Sequence, residues 1–88
     1  MEKQLIFAIY DMKAEAYMQP WFLPSEGLAI RAFSDCVNNP EHNFGMHPED
    51  YILYNVGAWS PNTGHLTCPS TPTVITSGID ILQKEQKT

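Results

Sequence analysis

Apolar residues gather in a few runs along the chain, and the spacing within each run predicts an element. Residues 4–10 (QLIFAIY) form a dense run of branched and aromatic side chains, read as a strand buried on both faces and ended by Asp11. The pattern then breaks. Residues 11–17 are helix-compatible but short, and Pro20 and Pro24 bracket Trp21-Phe22-Leu23. A proline drives the residue before it toward extended geometry, so residues 12–24 predict an irregular connection with one turn of helix. Ser25 followed by Glu26 is a helix start, with a capping hydroxyl and then a negative charge in the first turn. Leu28, Ala29, Ala32, Phe33, Cys36 and Val37 follow at helical spacing, while Arg31, Ser34 and Asp35 fall on the other side. The helix runs over 26–38 and stops at Asn38-Asn39-Pro40.

Residues 41–50 (EHNFGMHPED) read as a polar loop. Residues 51–59 (YILYNVGAW) have strong strand character on both parities: Tyr51, Leu53, Asn55, Gly57 and Trp59 on one, Ile52, Tyr54, Val56 and Ala58 on the other. Gly57 inside such a strand marks a bulge or a close backbone approach. Ser60-Pro61-Asn62-Thr63-Gly64 is a compact turn into a short strand over 65–68, giving a hairpin. Residues 69–72 (PSTP) break the chain again, and residues 73–76 are β-prone. Ile79, Ile81 and Leu82 fit a last strand or a helical turn, with a frayed tail over 83–88.

The chain is therefore expected to be a single α+β domain over 1–88: a small, mainly antiparallel sheet with one principal helix packed on one face. The opposite face is apolar as well, and little chain remains to cover it. That predicts completion by homo-oligomerisation.

Composition sharpens this picture. Eighty-eight residues suffice for one domain and give it a thin stability margin that a partner subunit would widen. Charged residues make up 17% of the chain, below the roughly 25% usual for globular domains, which leaves more neutral surface for contact with another chain. The net charge of −5 and the single arginine, Arg31, argue against a simple phosphate binder. The apolar stretch near the N-terminus is too short for a secretory segment or a membrane span. We expect no membrane partner, a reducing compartment, and Cys36 and Cys68 as free thiols.

Catalytic chemistry finds little support. His42, His47, His65 and Cys68 are ligand types that suit zinc, but their spacing matches no zinc pattern, so no metal and no cofactor is expected. Cys36 falls on the apolar face of the helix, and Cys68 near His65 lacks an orienting third group. Glu41, Glu49 and Asp50 read as solvated carboxylates, and there is no glycine-rich phosphate loop. No catalytic residue is assigned. The aromatics stand out instead: Tyr10, Tyr17, Trp21, Phe22, Tyr51, Tyr54 and Trp59 are many for this length. They suit base stacking, or a core and subunit interface, and the scarcity of basic residues favours the latter.

Several short motifs occur in a recognisable order. They are Ile9-Tyr10-Asp11-x-Lys13-Ala14-Glu15-Ala16-Tyr17, Arg31-Ala32-Phe33, Asn38-Asn39-Pro40-Glu41 and His47-Pro48-Glu49-Asp50-Tyr51. The hairpin over 51–64, with Leu53-Tyr54, Gly57 and Thr63-Gly64, continues the series. Together, from about residue 5 to 67, they resemble the small nonstructural protein of gokushovirus-type microviruses. Trp59-Ser60-Pro61 departs from that family's aromatic-Asp pattern at the turn. The resemblance implies a non-capsid protein of a small single-stranded DNA phage (Microviridae), associated with DNA binding or replication in the host cytoplasm. It carries no catalytic set. The expected function is a non-enzymatic accessory role in viral replication, binding single-stranded DNA or a viral replication protein. Lys3, Lys13, Tyr17, Trp21, Arg31, Tyr54 and Trp59 are the candidate contacts. The alternative is an oligomeric module that binds a host protein or small ligand and interferes with a host process.

Overall fold

The structure is a computed structural model and describes residues 3–86. Its core is one antiparallel pair. Strand β1 (Gln4–Asp11) lies along β4 (Tyr51–Trp59) over its whole length, from Gln4 opposite Trp59 to Asp11 opposite Tyr51. Short strands border this pair. On the β1 side stand β2 (Ala16–Tyr17) and β3 (Trp21–Leu23). On the β4 side stand β5 (Leu66–Thr67) and β6 (Thr73–Ser77). All pairings are antiparallel in this six-stranded sheet. The α+β reading therefore holds.

The helices share one side of the sheet. Helix α1 (Glu26–Val37) begins where Ser25 takes an extended conformation and its Oγ accepts the Leu28 N–H at 3.3 Å. It ends at Asn38, whose backbone N–H reaches Ser34 and Cys36 carbonyls. Ala29, Phe33 and Val37 are its buried residues, and they pack with Phe7 and Ile9 of β1 and Leu53 of β4. The buried stripe is narrower than the spacing predicts. Leu28 is exposed, as is Ala32, while Ile30 and Cys36 pack against the core from its flank.

Three stretches depart from expectation. Residues 12–24 contain β2 and β3, because the backbone of β1 offers them partners that no local spacing announces. The turn before β2 is held by the Asp11 carboxylate, which accepts the Lys13 and Ala14 N–H groups, and Glu15 carries a left-handed φ of 57°. Residues 41–50 hold a short helix α2 (Asn43–Met46) and a 3-10 turn (Pro48–Asp50), and Phe44 of α2 is buried in the core. The C-terminal segment is helix α3 (Gly78–Gln86), which contributes Ile81 to the core. Helix thus extends through residues 83–86, where a frayed tail was expected; residues 87–88 lie outside the described residues. Among the described residues no helix is long and apolar enough to cross a membrane.

Candidate functional site

Alternation along the strands decides which side chains face away from the helices. In β1, Leu5, Phe7 and Ile9 join or border the core, so Gln4, Ile6, Ala8 and Tyr10 line the opposite face. Register then carries the assignment outward. Tyr17 pairs with Tyr10, Phe22 with Ile6, Tyr54 with Ala8, Ile52 with Tyr10 and Gly57 with Ile6. Trp59 pairs with Gln4, Leu66 with Trp59, Val74 with Tyr54 and Ser77 with Ile52.

A register shift places Trp59 on this face. Between Ile6 and Phe7 the partner in β4 jumps from Gly57 to Asn55, so Val56 is an extra residue. The Asn55 side chain accepts the Gly57 N–H at 2.9 Å across this irregularity. One inserted residue reverses the parity of everything beyond it. Trp59 and Gly57 therefore share a face with Tyr54 and Ile52, whereas simple alternation groups them with Tyr51 and Leu53. Gly57 meets the close-approach expectation as well: a Cβ there would stand 2.7 Å from the Cys68 Sγ and 2.7 Å from the Thr67 carbonyl oxygen.

The face has two aromatic ends. At one, Tyr10, Tyr17 and Tyr54 meet edge to face, with ring centroids 4.8 Å apart for Tyr10 and Tyr17 and 5.6 Å apart for Tyr17 and Tyr54. The third pair, Tyr10 and Tyr54, is separated by 6.4 Å. Partial desolvation, then Tyr54 and Tyr10, push the Tyr17 phenol above its ordinary value. At the other end, Phe22 stands edge-on to Trp59 at 6.4 Å. A groove of about 630 Å³ opens beside this pair, lined by Gln4, Phe22, Trp59, Gly64 and Leu66. Among the described residues, none that the register assigns to this face is charged.

The candidate contacts are split by this geometry. Tyr17, Tyr54 and Trp59 lie on the open face. Trp21 pairs with Phe7 and packs against the core from the helix side, so it is not part of the aromatic face. Arg31 is exposed on α1, in the layer behind the sheet. Lys3 precedes β1. Lys13 lines a smaller groove, of about 330 Å³, with Asp11, His47, Glu49, Asp50 and Tyr51. Among the described residues no basic stripe joins the tyrosines. Spacing does not single out Leu66 and Val74, and it leaves Phe22, named among the aromatics, out of the candidate contacts, because a two-, three- or five-residue strand shows too little alternation to reveal its outward side chain.

Other chemistry is weakly served. Both cysteines are free. Partial burial, with Asp35 next, pushes the Cys36 thiol up, the reverse of what activates a thiolate. Among the described residues the group of ligand types that comes together is His47, Glu49 and Asp50, within 4.8 Å of one another, and not the set of His42, His47, His65 and Cys68. His42 uses its Nδ1 to accept the Phe44 N–H at 3.0 Å, which starts α2. Burial, then Asp11 and Asp50, hold the Tyr51 phenol above its ordinary value.

Against known families, the profile described as Phage ORF5 protein covers residues 4–81, nearly the whole described fold. The chain belongs to the Phage ORF5 protein family. It is thus a phage protein, and the family's span takes in both aromatic ends of the open face and all six strands. No curated protein and no solved structure matches this Phage ORF5 chain.

Proposed function

We propose that this phage protein is a non-enzymatic accessory factor, of the microvirus nonstructural type, that acts in viral DNA replication in the host cytoplasm. Its ligand in this reading is single-stranded DNA, taken by base stacking at the tyrosine end of the open sheet face. The observation that carries the reading is the cluster of Tyr10, Tyr17 and Tyr54 on adjacent strands, facing away from the helices. Bases stacked on aromatics contribute about 1–3 kcal/mol each and need no particular sequence. Because none of the described residues on the face is a cation, affinity is modest and depends weakly on salt.

The test is anisotropy of a labelled single-stranded oligonucleotide titrated with wild type and with Tyr17→Ser, at low and at moderate salt. Saturable binding with a shallow salt slope, weakened in Tyr17→Ser, is expected. Unchanged anisotropy at low salt removes the strand-binding reading.

A second reading has a protein as ligand, either the replication complex or a host factor. It is favoured by the neutrality of the face, since apolar and aromatic surface without charge is typical of the centre of a protein interface. In that case the oligonucleotide produces no response, and a charged substitution at Tyr17 abolishes capture of the protein partner.

A further inference from the structure

We propose that in the free protein the open sheet face is covered by a second copy of the chain, forming a twofold dimer packed sheet against sheet. This inference does not depend on the strand-binding reading.

Charge selects the occupant. The chain carries a net −5, and its described charged residues fall in the turns, the helix layer and the chain ends, apart from Asp11, which ends β1 on the parity of Phe7 and Ile9. The open face carries none among the described residues, so two identical copies can bring these faces together without placing like charges in contact. A basic protein would need carboxylates there, and the described residues of the face offer none.

Area is the second argument. A nine-residue strand and four strand columns give a face roughly 30 Å long and 19 Å wide. That outline is below the roughly 800 Å² per partner of a standard interface, and Ile6 and Ala8 near its centre are already buried, so a second copy has to cover the face from end to end. A partner covering only one end would fall well short.

Shape is the third. Leu66 of β5 and Val74 of β6 stand on the two strands that border β4 and are 60% and 61% exposed. Leu66 also lines the groove beside Trp59 and Phe22. Exposed apolar side chains and a groove on the same face suit a self-complementary twofold interface. Tyr17 and Phe22, each about half exposed, gain the burial that the single chain leaves unfinished.

The experiment is sedimentation of the full chain at low and moderate salt, with Leu66→Glu, Val74→Glu and Leu28→Glu. All three side chains are exposed, so the monomer fold is retained, which circular dichroism verifies. Leu28 is in α1 and off the sheet face. Wild type is expected to sediment at twice the chain mass. Salt should tighten the dimer by screening the repulsion between two acidic chains. Leu66→Glu or Val74→Glu should raise the dissociation constant at least about tenfold, a typical cost of placing a charge in a desolvated interface, and Leu28→Glu should leave it unchanged. A monomer at every concentration overturns the proposal. So does a dimer broken by Leu28→Glu but not by the two sheet-face variants, one that weakens with salt, or a particle larger than a dimer.

Discussion

Phe33 is fully buried and sits 5.7 Å from the Phe44 ring, where α1 meets α2. Its neighbours come from both layers, so no single side chain can move in to fill its place. Phe33→Ala is expected to cost about 3–5 kcal/mol in a urea titration, a large part of a small domain's stability. A loss under about 1 kcal/mol would show that the helix faces the sheet through another stripe. This position was legible from helical spacing alone. Phe44 was not: it lies in a polar segment without periodicity, and only its place under α1 and beside Tyr51, at 4.5 Å, shows that it belongs to the core. Leu28 fails in the opposite sense, because spacing fixes an angular position but not how wide a stripe the sheet covers.

Among the elements, β4 carries the most consequence. Its strand character was plain from residues 51–59, and so was the oddity of Gly57. The effect of the bulge was hidden, since Val56 has the same branched side chain as any strand residue and its extra place exists only relative to β1. Trp59 changes face because of it. The same dependence explains β2 and β3, whose short sequences become strands through pairing with β1. Gly57 offers the direct test. A Cβ there meets the Cys68 Sγ and the Thr67 carbonyl at 2.7 Å, so β5 must shift to admit it. Gly57→Ala is expected to lose about 1–3 kcal/mol by overpacking. Trp59 emission should shift to longer wavelength as β5 loosens beside it. A variant as stable as wild type with unchanged emission would mean that β5 is not held close to β4.

For the molecule as a whole, the layering was legible: helices on one side and a second apolar sheet face left over. Which side chains make that face was not, because it is assembled from six strands whose register is set in three dimensions. Our central proposal is that the tyrosine end of this open face takes single-stranded DNA. The most direct measurement is an amide chemical-shift map of the isotope-labelled protein titrated with a single-stranded oligonucleotide. The claim predicts shifts concentrated in β1, β2 and β4 around Tyr10, Tyr17 and Tyr54, with the α1 amides near Arg31 unmoved. Shifts centred on α1, or a spectrum that does not respond at all, would contradict it.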